Sequence, residues 1–166
     1  MSETNAYLIA LGSNMRSARF GSPNAIIGKA LEFIANAGNT VSAVSPVVRS
    51  KPIGPSQREF ANATAIVESA LPPHAMLELL HAVELMFGRK RQGQRWRARV
   101  LDLDIILWSG GQIRDLALTV PHPRFRERDF VLGPARAVAG SWRDPLSGLS
   151  VSQLHARLTR PRPVPR

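Results

Sequence analysis

Two aspartates and the cations that precede them have the residue types and spacing best suited to chemistry. Asp102 and Asp104 lie two positions apart within residues 101–108, an apolar stretch with the length and branched composition of a β-strand. Because side chains alternate across a strand, both carboxylates are expected on one face. Two such carboxylates repel each other unless a cation lies between them, and Mg²⁺ takes one or two carboxylates together with phosphate oxygens. The pattern therefore predicts a metal–nucleotide site at the end of a strand.

A basic segment stands directly before this strand. Its one large apolar residue is Trp96, and its six cations are Arg89, Lys90, Arg91, Arg95, Arg97 and Arg99. Arginine makes paired hydrogen bonds to phosphate oxygens, so the segment predicts a basic flap over a polyphosphate. The alternative is a pair of hydrated aspartates on an exposed strand. The apolar strand and the dense cations argue against that alternative.

Hydrophobic periodicity predicts the elements that would position these residues. Short strands are expected at residues 6–11, 41–48, 60–67 and 101–108, and helices at residues 23–35, 73–87 and 130–139, with a loop over residues 118–123. The first six of these elements follow the order β-α-β-β-α-β, which is typical of ferredoxin-like folds. We therefore expect an α+β fold with an antiparallel sheet flanked by helices, in three layers (α/β/α).

Composition limits the possible functions. A chain of 166 residues with 44% hydrophobic residues and no cysteine is expected to form one domain, without a disulfide framework or thiolate metal site. We assign that domain to residues 1–158 and expect the alternating Arg–Pro tail, 159–166, to be disordered. No apolar run is long enough to span a membrane and no signal pattern is present, which predicts a cytoplasmic protein. The net charge of +10 favours polyanionic ligands.

The sequence lacks the common nucleotide-binding and hydrolase motifs. Gly88 and Gly93 have the spacing of the glycines in a P-loop, but Gln94-Arg95 stands where Lys-Ser/Thr is required, and a helix precedes the segment instead of a strand. No glycine-rich dinucleotide fingerprint follows the first strand, and no G-x-S-x-G motif occurs. P-loop, dinucleotide-binding and α/β-hydrolase functions are thereby excluded.

Five stretches in order resemble a known enzyme family. Residues 95–105, with the pattern R-W-x-x-R-x-L-D-L-D-I, are similar to 6-hydroxymethyl-7,8-dihydropterin pyrophosphokinases of folate synthesis. The other stretches are A-L-G-S-N at 10–14, R-S-x-P-x-G at 49–54 with F-x-N at 60–62, E-x-x-x-G-R-x-R at 84–91, and P-H-P-R at 121–124 with E-R-x-F-V-L at 127–132. The resemblance extends over about residues 6–155.

The resemblance implies an activity and a set of site residues. In that family, ATP and Mg²⁺ place a pyrophosphoryl group on the hydroxymethyl oxygen of the pterin and leave AMP. It implies that Asp102 and Asp104 hold two Mg²⁺ ions and are catalytic together with Arg89 and Arg99. The residues implied in binding ATP are Leu77, His81, Arg91, Arg95, Trp96, Ile105, His122 and Arg128. Those implied in binding the pterin are Ser50, Pro52, Ile53, Phe60, Asn62 and Phe130, with the two phenylalanines on either side of the ring.

The resemblance also indicates partners, and departures from the family pattern leave alternatives open. We expect a monomer that binds the small molecules ATP and 6-hydroxymethyl-7,8-dihydropterin, with no nucleic acid and no membrane as partner. Arg97-Ala98 stands where the family usually has Gly-Pro, and His81 stands where Gln is more frequent. One alternative is therefore a non-catalytic relative that binds nucleotide or pterin. Another is a ferredoxin-like nucleic-acid-binding module, which would leave the aspartate pair unexplained because carboxylates repel phosphates.

Overall fold

A computed structural model describes residues 3–51, 58–88 and 100–165. The strands are β1 (Asn5–Ser13), β2 (Thr40–Val44), β3 (Val48–Ser50), β4 (Phe60–Ser69), β5 (Asp102–Trp108), β6 (Ile113–Arg114) and β7 (Thr119–Val120). The helices are α1 (Pro23–Asn36), α2 (Pro73–Met86), α3 (Asp129–Ala139) and α4 (Val151–Thr159), with a 3₁₀ turn at Phe125–Glu127.

The main sheet is antiparallel and has the strand order β2-β4-β1-β5, with β3 also paired to β4. The first strand in sequence therefore lies in the interior of the sheet, as in a ferredoxin-like fold. Tyr7, Leu8 and Ile9 are fully buried. Their consecutive burial explains why β1 is an apolar run instead of an alternating one, because a strand covered on both faces buries every side chain.

Helices cover both faces of the sheet. Helices α1 and α2 pack on one face, where they close a hydrophobic core with alternate residues of β4 such as Ala63 and Ala65. Helices α3 and α4 pack on the opposite face in a second core that contains Leu8 and Ile106. The predicted α+β class, antiparallel sheet and three-layer arrangement are thus confirmed.

Local sequence signals set the ends of two helices. The Ser22 side chain accepts a hydrogen bond from the Ala25 N–H at the start of α1, and Pro23 occupies the first turn, where its missing N–H has no helical partner. Gly38 follows the end of α1 with φ +90°, a conformation that glycine adopts without steric penalty. At α4, Ser150 and Gln153 form a reciprocal capping box.

Two sequence predictions were wrong in detail, and one helix was missed. The single strand predicted at residues 41–48 is divided, because β2 ends at Val44 and β3 begins at Val48. Pro46, which has no N–H for a sheet ladder, lies in the gap. Residues Thr119–Val120, predicted as loop, form β7 and pair with β6. Helix α4 was not predicted, because only two of its residues, Val151 and Leu154, are buried and apolar. Two such residues are too few to show a helical period in the sequence.

The C-terminal segment is exposed beyond α4. Residues 161–165 have no helical or strand structure, and α4 itself continues to Thr159. The domain limit at residue 158 and the disorder of residues 159–166 stay predictions. No helix within the described ranges is long and apolar enough to cross a membrane.

Candidate active site

The aspartate pair lies on the α3 face of the sheet. In the register of β5 against β1, Asp102 is opposite Gly12 and Asp104 is opposite Ala10. Both carboxylates project from alternate positions of one strand, as the sequence predicts, and both are partly exposed, with 38% of the Asp104 side chain accessible. The pair is therefore open to a ligand from the α3 side.

A buried carboxylate supports the backbone between these two residues. Glu84 of α2 is 2% exposed, and its Oε2 accepts a hydrogen bond of 3.4 Å from the N–H of Leu103. Leu103 is the residue between Asp102 and Asp104, so Glu84 holds the strand from the opposite face. A carboxyl group buried at this depth needs hydrogen-bond partners, and a strand N–H is one of them.

His122 approaches the pair from the loop after β7. Its backbone N–H donates to the Ile106 carbonyl at 3.0 Å, and its Nε2 lies 4.0 Å from Asp104 Oδ2. The Arg124 N–H donates to His122 Nδ1 at 3.2 Å, so the proton of the neutral ring lies on Nε2, on the side of Asp104.

Electrostatics keep that imidazole neutral. Burial, together with the positive charges of Arg128 and Arg124, lowers the pKa of His122 to about 4, although the Asp102 carboxylate acts in the opposite direction. At neutral pH the ring is therefore uncharged. Its Nε2–H lies near Asp104, where it would donate a hydrogen bond to the oxygen of a bound anion.

Asn62 and Phe60 occupy the next strand on the same face. Asn62 is opposite Gly12 in the register of β4 against β1. Its Nδ2 donates to Ser50 Oγ at 2.8 Å and to the Phe60 carbonyl at 3.3 Å, which fixes the amide at the strand end. A Cβ placed on Gly12 would lie 3.6 Å from Asn62 Oδ1 and 3.7 Å from Phe60 Cδ1. Gly12 is partly exposed and adds no side chain between Asn62 and Asp102, and we call this gap in the row of side chains the Gly12 depression.

Phe130 and Arg128 extend over this face from the start of α3. The Arg128 guanidinium carbon lies 5.7 Å from the centre of the Phe130 ring, within the range of a cation–π contact. Phe130 is partly buried and packs against the core beneath α3. An aromatic ring and a cation are thus paired at the start of α3, the helix that packs on the face of the sheet that carries the aspartates.

Three residues expected at the nucleotide lie on the other side of the sheet. Leu77 and His81 belong to α2 and are partly buried, whereas the Ile105 side chain is buried in the core under α1 and α2. The structure does not bring their side chains to the face of Asp102. Strand β5 forms an edge of the sheet. A ligand that contacts these three residues as well as Asp102 would therefore extend around that edge.

Seven of the expected site residues lie outside the described residues. They are Pro52, Ile53, Arg89, Arg91, Arg95, Trp96 and Arg99. Their roles stay predictions from the sequence, as does the basic flap to which five of them belong.

The described residues can supply part of a magnesium site. Within the three described ranges, no group of three or more His, Cys, Asp or Glu side chains could hold a metal ion. Two accessible carboxylates on one face nevertheless suit Mg²⁺, which keeps water and phosphate oxygens as its other ligands. Asp102 and Asp104 therefore fit an ion that arrives with a nucleotide.

Two contributors were not found from the sequence. Gly12 appears in the sequence only as part of the A-L-G-S-N stretch, but it lies inside the β1 ladder between Asn62 and Asp102. Arg124 was noted only as part of a motif, although its N–H and its charge both act on His122. The position of Gly12 follows only from the strand register, and the contact of Arg124 with His122 follows only from the loop conformation.

Comparison with known sequences agrees with this geometry. The family model described as 7,8-dihydro-6-hydroxymethylpterin-pyrophosphokinase (HPPK) matches residues 8–140. The chain belongs to the HPPK family. That range contains every described residue that was assigned to the site from the sequence.

Individual relatives support the membership. The chain is 41% identical over 140 residues to a 2-amino-4-hydroxy-6-hydroxymethyldihydropteridine pyrophosphokinase of Pseudomonas aeruginosa, covering 82% of each chain. It is 38% identical over 138 residues to a protein of that name from Methylorubrum extorquens, covering 82% of this chain and 83% of the relative. A third, from Synechocystis, is 38% identical over 127 residues, or 76% of this chain and 65% of the relative.

A solved structure shares the fold at low sequence identity. The HPPK-DHPS protein of Plasmodium falciparum superposes with a TM-score of 0.69 at 12% identity, covering 95% of this chain and 42% of that one. At this identity the match supports the HPPK fold alone. The matched region is less than half the length of the Plasmodium falciparum chain.

Proposed function

We propose that this member of the HPPK family transfers a pyrophosphoryl group from ATP to the hydroxymethyl oxygen of 6-hydroxymethyl-7,8-dihydropterin and releases AMP, a step of folate synthesis. The observation that carries the proposal is the placement of two chemically different sets on one face of the sheet. Asp102 and Asp104 stand on β5, and Asn62 and Phe60 stand on β4, with Gly12 between them. The phosphate site and the site of the flat heterocycle would thus be adjacent.

The pterin would bind over the depression at Gly12. Phe60 and Phe130 would stack on its two faces, because flat heteroaromatic rings pack well between aromatic side chains. Ser50 orients the side-chain amide of Asn62. That amide, together with backbone groups near Pro52 and Ile53, would form hydrogen bonds with the polar edge of the ring. This arrangement would direct the hydroxymethyl group toward β5.

The triphosphate would lie along β5. Phosphoryl transfer needs alignment and charge neutralisation more than a protein nucleophile. His122 would donate through Nε2 to a phosphate oxygen, and Arg128 would supply a positive charge beside it. Arg89 and Arg99 would contact the transferred phosphates, with Arg91, Arg95 and Trp96 covering them.

Magnesium is part of the proposal. Asp102 and Asp104 would hold two Mg²⁺ ions, which would supply positive charge to offset that of the phosphates. Glu84 would keep the two carboxylates in register through the Leu103 N–H. The adenosine would lie around the β5 edge, where Leu77, His81 and the backbone of Ile105 would contact it.

The remaining expectations also belong to the proposal. We infer a cytoplasmic monomer that works on small molecules, without a nucleic-acid or membrane partner. The high positive charge is then explained by phosphate binding, since arginines precede β5 and follow β7.

Product analysis is the direct test. The protein is incubated with ATP, Mg²⁺ and 6-hydroxymethyl-7,8-dihydropterin, and the nucleotides are separated. We expect AMP in a one-to-one ratio with pyrophosphorylated pterin, and no AMP without pterin or with excess chelator. His74→Gln, a change in an exposed histidine outside the proposed site, is the matched control and should keep full activity.

Other outcomes would contradict the proposal. Release of ADP would indicate a different transfer. Tight binding of ATP and pterin without AMP would identify a non-catalytic relative. RNA binding that weakens steeply with salt, without affinity for ATP, would favour a nucleic-acid-binding module.

A further inference from the structure

The first turn of α3 carries Phe130, a residue of the proposed pterin site. Asp129 begins the helix, Phe130 follows it and Arg128 precedes it. Pro134 lies inside the helix, four residues after Phe130. Because proline has no N–H, the Phe130 carbonyl lacks the usual helical hydrogen bond. This turn is therefore joined to the rest of α3 by fewer bonds than an ordinary helical turn.

A contact from a different helix holds this turn. His155 of α4 places Nε2 3.0 Å from Asp129 Oδ1. His155 is 18% exposed in its side chain, whereas Asp129 is 70% exposed. A Cβ placed on Gly133 would lie 3.7 Å from Asp129 Oδ1 and 3.8 Å from His155 Nε2. The pair thus packs directly over Gly133, one turn after Asp129.

The helix that provides His155 is firmly attached. The Ser150–Gln153 capping box fixes the start of α4, and Val151 and Leu154 are buried in the core shared with α3. Leu154 immediately precedes His155. The imidazole therefore projects from a fixed support toward the weakly bonded first turn of α3.

We propose that His155 is a positioning residue for the pterin. By holding Asp129 it fixes the first turn of α3, and thereby the orientation of the Phe130 ring that stacks on the substrate. The inference rests on the proposed function, because it requires Phe130 to contact the pterin. His155 itself does not contact substrate.

The expected size of the effect follows from the exposure of the pair. Partly exposed pairs contribute up to about 1 kcal/mol, and 1.4 kcal/mol corresponds to a factor of ten in binding. Removing the contact should therefore change pterin affinity by about two- to five-fold. A role limited to joining two helices would lower stability and leave pterin affinity unchanged.

The test measures pterin binding in the presence of magnesium and a non-hydrolysable ATP analogue. Titration calorimetry gives the Kd of the pterin and that of the analogue for His155→Leu, which removes the donor. We expect a pterin Kd raised by about two- to five-fold with the nucleotide Kd unchanged. His155→Gln, which can still donate to Asp129, should recover most of the affinity.

A matched control is available within the chain. His74 Nε2 and Asp115 Oδ2 form a similar partly exposed pair at 2.7 Å, between the start of α2 and the β6–β7 turn. His74→Leu should leave the pterin Kd unchanged. A rise equal to that of His155→Leu would overturn the proposal, because the effect would then not depend on α3.

Coupling and substrate contact are tested separately. If the pair acts as a unit, Asp129→Ala combined with His155→Leu should raise the Kd no more than the larger single effect. Effects that multiply would overturn the proposal. Phe130→Ala tests the stacking role. If it weakens pterin binding and His155→Leu does not, the positioning role fails while the proposed function stands; if Phe130→Ala has no effect, the stacking role fails.

Discussion

Asn62 and Asp102 lie in one row of the sheet, on either side of Gly12. Neighbouring strands are about 4.8 Å apart, so these two residues are separated by on the order of 10 Å across β1. One belongs to the proposed pterin site and the other to the proposed metal site. In the proposed function, the hydroxymethyl group would therefore meet the phosphates above the backbone of Gly12.

Gly12→Ala should impair pterin binding without damaging the fold. The added Cβ would meet Asn62 and Phe60 at 3.6 and 3.7 Å, ordinary contact distances. The methyl group would instead occupy the floor of the depression, and we expect pterin affinity to fall by about ten-fold. Thermal unfolding and pterin titration measure the two effects. Gly28→Ala is the control, since no described atom lies within 4 Å of its added Cβ. Equal pterin affinity in both variants would contradict the assignment.

The fold could be predicted because its central elements follow simple periods. Strand β1 and helix α1 each show an uninterrupted apolar pattern, and the order of elements limits the topology. Helix α4 and the β6–β7 pair could not be predicted, since two-residue strands and a nine-residue helix with two buried anchors lack a readable period. The division of the second strand depends on a single proline, Pro46.

The site could be predicted in part. Strand alternation alone places Asp102 and Asp104 on one face, and the structure agrees. The position of Gly12 depends on the pairing register, which two long-range strand pairings determine. The orientation of His122 depends on a hydrogen bond from the Arg124 N–H, and no sequence pattern reports that loop conformation.

Replacement of either aspartate should abolish most turnover. Asp102→Asn and Asp104→Asn keep the side-chain shape but remove a charge that would hold Mg²⁺, so we expect turnover to fall by about 100-fold or more. The fold should persist, because the change relieves repulsion between two neighbouring carboxylates. Steady-state assays over a range of Mg²⁺ measure the effect. Asp115→Asn, outside the proposed site, is the control. Near-normal turnover at ordinary Mg²⁺ in either variant would refute the metal assignment.

Thr64→Val should stabilise the protein. Thr64 is fully buried opposite Ala10 in the ladder, and its hydroxyl has no hydrogen-bond partner in the described parts of the chain. Burying an unsatisfied hydroxyl is unfavourable, and valine has nearly the same shape. We expect the free energy of unfolding to rise by about 1 kcal/mol, measured by urea denaturation. A loss of stability would contradict the prediction and show that the hydroxyl is not an unfavourable buried group.

Asp144 should make the stability of the fold depend on pH. It accepts hydrogen bonds of 2.6 and 2.7 Å from Arg126, in the 3₁₀ turn that leads to Arg128 and Phe130. Burial alone would raise the pKa of Asp144. Hydrogen bonds from Arg126, from the Ser147 hydroxyl and from the Leu146 N–H outweigh it and lower that pKa from 3.8 to about 2.

The sign of the effect follows from this lowered pKa. A carboxyl that is more acidic in the folded state stabilises the fold above its ordinary pKa, near 3.8, and loses that contribution as the pH falls toward 2. Asp144→Asn should therefore reduce the free energy of unfolding by about 2 kcal/mol at pH 7. The difference from the unaltered protein should shrink between pH 4 and the lowest pH at which both are folded.

Urea denaturation at several pH values tests this prediction. Asp115→Asn is a suitable comparison, because Asp115 also accepts backbone hydrogen bonds, from Ala117 and Leu118, but its side chain is 45% exposed. Solvent weakens such interactions, so its loss at pH 7 should be clearly smaller. If the Asp144→Asn difference were the same at every pH, the substitution would act through packing, and the ionised carboxylate would not be its source.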